Sequence, residues 1–181
     1  MKLQNPFIHL VGDSLCRPAL LSQIFEMEAA MANVVRMTPE PMNSLIPESE
    51  VVGARLASLL EAAVIEFKID PDGDIYASDG LEFPVWITIA EDKKLIAFFT
   101  FFDPDGAGIE DALSFVNQIN QSIVVVQFSW QAGKLWGHYW LTYDGGIDVK
   151  HFIKMLRRFS GAFVSGIETF RKLSIRTGSS S

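Results

Sequence analysis

Three side chains in this sequence have the types and the spacing for acyl transfer. Ser14 lies in Gly12-Asp13-Ser14-Leu15, directly after the short apolar run Phe7 to Val11, where a strand end could present its hydroxyl. Asp148 and His151 stand three residues apart far along the chain, a spacing at which a carboxylate can orient an imidazole that acts as base to a serine. A second group, Asp70, Asp72 and Asp74, has the one-three-five spacing of carboxylates around calcium. Three histidines, His9, His138 and His151, are scattered and share no ligand spacing.

Each of these has a plainer role. The Ser14 motif resembles that of GDSL-type serine esterases, which also need donors for the oxyanion from a Gly-x-Asn-Asp block; no asparagine here sits in that context. The histidine of that family usually precedes proline, whereas His151 precedes Phe152. Asp148 can serve as a helix cap. The esterase with Ser14, Asp148 and His151 is therefore kept as the alternative, and no catalytic residue is assigned. The calcium pattern fails at its sixth position, Ile75 where glycine is needed, and at its twelfth, Leu81 where glutamate is needed. Pro71 and Gly73 make that stretch a hairpin turn. No metal and no cofactor is expected.

The elements that would carry these residues follow from periodicity. Leu20, Ile24, Met27, Met31 and Val34 form one helical stripe after Pro18. Thr38 to Glu50 carries three prolines and reads as a linker. Ser49 is placed to cap a second helix whose Val52, Leu56, Leu59 and Leu60 face inward. Val64–Ile69 and Asp74–Ser78 then make a first hairpin, and Phe83–Ala90 and Lys94–Phe102 a second. A helix over about Gly108 to Gln121 would bury Ile109, Leu113, Val116 and Ile119 or Asn120. Ile123–Trp130 and Lys134–Tyr143 make a third hairpin. The last helix opens after Gly145-Gly146, capped by Asp148, and buries Phe152, Leu156, Phe159, Phe163, Ile167 and Phe170. Hairpins dominate, so the fold class is α+β, a mainly antiparallel sheet packed by helices.

Composition narrows the partners. The chain has 181 residues, 49% hydrophobic and 20% charged, with a net charge of −7. That balance argues against nucleic acid as partner. A lone cysteine, Cys16, suits a reducing compartment, and the first apolar run is too short for a secretory signal or a membrane span. The expectation is a cytoplasmic protein without membrane or nucleic-acid partners.

Two strands are apolar on both sides, where a half-solvated strand should alternate. Lys134–Tyr143 sets Trp136, His138 and Trp140 on one side, and Lys94–Phe102 sets Ile96, Phe98 and Phe102 against Leu95, Ala97, Phe99 and Phe101. We expect Phe98 and Phe102 beside Trp136, His138 and Trp140 as a partner-binding surface. That surface must be covered, by the first helix through Leu20, Ile24, Met27 and Met31 or by another chain. A homodimer or a protein client is the expected partner.

The order of elements, Val116-Asn117 with Ile119-Asn120 at the end of the middle helix, and the Gly145-Gly146-Ile147 step into a helix containing Leu156 and Phe159 resemble the YbjN-like family of small bacterial proteins, labelled sensory transduction regulators. The resemblance covers about Ser49 to Phe170 and implies the fold of the type III secretion chaperones, protein–protein interaction and often dimers. It brings no catalytic or cofactor residues, and residues 1 to 40 have no counterpart in it. It divides the chain into an N-terminal helix and linker over 1–47, an α+β domain over 48–173 and a flexible tail over 174–181.

Overall fold

Turn chemistry sets the hairpins. Ala132 and Gly133 both sit at positive φ, 50° and 77°, which a two-residue type I′ turn needs to match the twist of its strands. In the turn at Asp70–Gly73, the Asp70 carboxylate accepts the amides of Asp72 and Asp74, each at 2.9 Å. The aspartates are thus spaced for an Asx turn, with Gly73 at φ 89°.

The computed structural model describes residues 44–104 and 111–178. Its elements are β1 Leu45–Ile46, α1 Gly53–Ala62, β2 Phe67–Ile69, β3 Ile75–Ala77, β4 Val85–Ala90, β5 Leu95–Phe102, α2 Ala112–Ser122, β6 Gln127–Gln131, β7 Lys134–Thr142, β8 Ile147–Asp148 and α3 Val149–Gly178. Among the described residues, six strands form one sheet in the order β2-β3-β4-β5-β7-β6, and β1 pairs with β8. Every pairing is antiparallel. The fold is α+β, as the hairpin count requires.

Helix α3 covers one face of the sheet because its apolar stripe recurs every three or four residues. Phe152, Leu156, Phe159, Phe163, Ile167 and Phe170 are all buried. Phe98 of β5 meets Phe152 and Phe159 with ring centroids 5.8 and 5.9 Å away. Phe128 of β6 stacks on Phe163 at 5.7 Å. Two glycines make that stack fit. A Cβ on Gly137 would lie 2.5 Å from the Phe163 ring, and one on Gly166 would lie 2.2 Å from Phe128. The Ser160 hydroxyl, buried in α3, accepts the Phe83 amide at 2.7 Å and donates to the Phe83 carbonyl at 2.9 Å. It fixes the loop before β4 to the helix.

Helix α2 protects one edge of the sheet. Along β6, Phe128 turns its backbone groups away from β7, and the Asn120 side chain satisfies both. Its Oδ1 accepts the Phe128 amide at 2.9 Å and its Nδ2 donates to the Phe128 carbonyl at 3.0 Å. The side chain imitates one rung of a neighbouring strand. Asn120→Ala should strand both groups and lower stability by about 1–3 kcal/mol in denaturant melts, with faster amide exchange at Phe128. Asn120→Asp, which keeps only the acceptor, should fall between.

Several expectations need correction. Ser49 lies in a short 3-10 turn, Glu48–Glu50, and caps nothing; the residue before α1 is Val52, which makes no side-chain cap and is exposed. In α2, Leu113 is 68% exposed and Phe115 takes the inward place. Ile123–Val126 precedes β6 rather than forming it, and the first hairpin pairs only three residues on each side. The stretch read as linker supplies β1, whose Ile46 is 1% exposed, and α3 continues through Ser174 into the stretch read as tail. Gly146, at φ 109°, brings its backbone so close to β1 that a Cβ would lie 2.5 Å from the Ile46 carbonyl oxygen.

Candidate functional site

The sheet has a second face, turned away from α3, and its side chains follow from strand register. Alternation buries Ile96, Phe98 and Thr100 on the helix side. It therefore sends Leu95, Ala97, Phe99 and Phe101 outward. Beside them, β7 contributes Trp136, His138 and Trp140, because Phe99 is opposite His138, Phe101 opposite Trp136 and Ala97 opposite Trp140. On the other flank, Trp86 of β4 is opposite Phe99, and Tyr76 of β3 is opposite Trp86.

These rings make two contacting groups, Tyr76, Trp86 and Phe99 over β3 to β5, and Phe101, Trp136 and His138 over β5 and β7. Tyr76 and Trp86 have centroids 4.8 Å apart, Trp86 and Phe99 6.4 Å, Phe101 and Trp136 5.0 Å, and Trp136 and His138 6.0 Å. Trp140 is 49% exposed and Phe101 38%. Cations and carboxylates stand at the rim. Lys134 reaches over the Phe101 ring at 4.5 Å while paired with Asp103 at 3.3 Å. Thr88 donates its hydroxyl to Asp74 at 2.6 Å.

Two groups on this face are polar and poorly served. The Trp136 indole N–H is shielded from solvent and has no acceptor. His138 is half-buried among the rings, and desolvation holds its pKa below the ordinary 6.5. The folded state thus binds fewer protons than the unfolded chain as pH falls through the range below 6.5, and stability contributed by neutral His138 is lost over that window. His138→Gln should flatten the fall in melting temperature between neutral pH and about pH 5, relative to the native chain.

Of the residues expected to bind a partner, Trp136, His138 and Trp140 share this face. Phe98 and Phe102 do not. Phe98 is fully buried against α3, and the Phe102 ring lies under the Arg171 guanidinium of α3 at 4.9 Å. The parity of β5 is therefore opposite to the expectation, with Phe98 and Phe102 on the α3 side. Thr100 misleads: a threonine ordinarily marks the wet side, yet here it is buried on the helix side. Phe99, Phe101, Trp86 and Tyr76 take the outward places, and the signal that could have found them is Gly137. A strand glycine marks a close approach, here of Phe163, and so identifies the helix-facing side of β7. Leu20, Ile24, Met27 and Met31 lie outside the described residues.

Ser14 also lies outside them. Asp148 and His151 are described, and their relation is that of a cap: Asp148 Oδ1 accepts the backbone amide of His151 at 2.6 Å. That leaves the carboxylate engaged with the main chain at the start of α3. The sheet beside it is antiparallel throughout, whereas the esterase reading calls for a parallel sheet between helices.

No described helix is long and apolar enough to cross a membrane. Comparison with curated proteins returns no match. Among solved structures, the crystal structure of YbjN from E. coli is similar: TM-score 0.52 at 19% identity, covering 64% of this chain and 87% of that one. At that identity the likeness shows the fold. A family model described as "T3SS (YopN, CesT) and YbjN peptide-binding chaperone 1" matches residues 48–169, from the turn before α1 to Thr169 within α3. The match covers well over half the chain and includes every strand of the six-stranded sheet, so this protein belongs to that family, TY-Chap1.

Proposed function

We propose that the chain is a non-enzymatic, chaperone-like module that holds a protein segment on the outer face of its sheet. One observation carries this: seven outward residues, neighbours by strand register, Tyr76, Trp86, Phe99, Phe101, Trp136, His138 and Trp140, form an aromatic surface on the side away from the described helices. Aromatic side chains give large contact area at small entropic cost, and patches of this kind mark interaction sites. The peptide-binding description of the family supports the same reading. The aromatic face is where a client's apolar side chains would sit. Its working place would be the cytoplasm.

The test is whether the full chain suppresses light scattering when a chemically denatured model protein is diluted into buffer. Suppression near equimolar ratio supports the reading, and scattering that is unchanged by excess chain sinks it. We further propose that the chain self-associates as a homodimer. Sedimentation equilibrium of the full chain should give twice the monomer mass, and a monomer at high concentration would reject the dimer.

A further inference from the structure

We propose that the corner where α1 ends is a separate subsite for a basic, apolar polypeptide segment, whose arginine or lysine head is held by Glu61 and Glu66 while its carbon stem lies on Val64. This rests on the reading that the chain binds polypeptide, but not on which face of the sheet does so.

The corner is an open depression of about 450 Å³ lined by Glu61, Val64, Ile65, Glu66 and Phe67. Its shape comes from the way α1 stops. The Val64 amide donates to the Glu61 carbonyl at 3.0 Å and the Ile65 amide to the Leu60 carbonyl at 2.9 Å. Those two bonds make a Schellman ending, whose left-handed position is normally glycine or asparagine. Here it is Val64, at φ 57°. A β-branched residue is strained in that region. Val64 is also 85% exposed, so its apolar side chain stands in water. Strain and exposure fall on one residue, and a glycine would remove both.

The conformation is held in place by its surroundings. Gly80 presses so close that a Cβ there would lie 2.7 Å from the Val64 carbonyl oxygen, and the Glu66 backbone is fixed by bonds with Asp79 and Ser78. What remains free are the two carboxylates. Among the described residues, neither Glu61 nor Glu66 has a cation within ion-pair distance. The Arg157 guanidinium donates to the Ala63 carbonyl instead, at 3.0 Å. An apolar floor of Val64, Ile65 and Phe67 beneath two unpaired carboxylates complements a long cationic side chain, whose stem is apolar and whose head is charged. The net charge of −7 favours the same class of ligand.

The experiment titrates the full chain against a labelled, end-capped peptide of alternating arginine and leucine, followed by fluorescence anisotropy, with a glutamate-leucine peptide as its counterpart. The arginine peptide should bind saturably and the glutamate peptide should not. Glu61→Gln with Glu66→Gln should weaken binding at least about tenfold, the loss of two charged contacts. Val64→Asn should weaken it severalfold while raising the melting temperature by about 2–4 °C, because asparagine tolerates the left-handed position. A residue with a merely structural role would not lose binding as it gained stability. Glu91→Gln with Asp92→Gln, the same change of charge on the β4–β5 turn, should leave affinity unchanged. Equal weakening by that control pair, or unchanged affinity in the Glu61/Glu66 pair, overturns the proposal. Loss of binding in Trp140→Ser alone would overturn this subsite and leave the sheet reading standing; loss in the Glu61/Glu66 pair alone would do the reverse. Conversion of a dimer to a monomer by the Glu61/Glu66 pair would show that a second copy occupies the corner, and would overturn the assignment to a client.

Discussion

Gly137→Val should cost about 3 kcal/mol or more and lower the melting temperature by about 10 °C. The expected size follows from geometry. A Cβ at this position meets the Phe163 ring at 2.5 and 2.8 Å and a Val126 methyl at 2.9 Å. Phe163 cannot yield, since it is fully buried and packed against Phe128 at 5.7 Å and Phe83 at 5.0 Å. Valine adds two more methyls to the same space, so either α3 lifts from β7 or the Phe128–Phe163 stack breaks. Gly137→Ala should fall the same way by less. Gly53→Ala is the control: its Cβ would have ordinary contact, 3.7 Å from Gly73 O, at the first position of α1. It should be neutral or stabilising by up to about 1 kcal/mol. If chemical denaturation gave Gly137→Val the same stability as Gly53→Ala, the packing of α3 on the sheet would be wrong.

Trp140→Ser combined with Phe101→Ser should lower apparent client affinity by thirtyfold or so, the effect of losing aromatic anchors worth about 2 kcal/mol or more. Both side chains are exposed, so the folded state should lose little, and melting should shift by only a few degrees. The readout is the concentration of chain needed to suppress scattering of the diluted model protein. Trp136→Phe separates recognition from folding on the same face. It keeps a ring against Phe101 and His138 but removes an N–H that lacks an acceptor. Its stability should equal the native chain's or exceed it by up to about 1 kcal/mol. Full client protection by the Trp140/Phe101 double variant would remove the outer face from the function.

The sequence disclosed the hairpins because turns carry their own chemistry: Asp70–Gly73, Glu91–Lys93 and Ala132-Gly133 each divide two apolar runs. It disclosed α3 because one stripe of six apolar residues has only one good periodicity. The facing of β5 stayed hidden for a physical reason. Where both sides of a strand are apolar, alternation has no sign, and only a contact from elsewhere in the chain can supply it. That contact is α3, which takes Phe98 and leaves Phe99 and Phe101 outside. Ser49 failed as a cap for a similar reason: a good capping residue is of no use when the chain enters the helix in extended backbone at Val52, three residues later. The corner at Val64 was illegible because the ending of α1 uses a residue that local preference would never place there.

Asn120 has a consequence for assembly. Strand-by-strand growth into a filament needs two open sheet edges on every copy, one to receive and one to give. By alternation along β6, Phe128 and Trp130 hold the outward-pointing backbone groups of that edge, and a side-chain amide already occupies the first of the two positions. An incoming strand would have to evict it and leave both amide groups of Asn120 unpaired. Sheet-to-sheet addition at this edge therefore costs those two bonds for every copy added. A single side-chain amide thus makes β6 the edge at which an aromatic sheet is least open to another copy's strand.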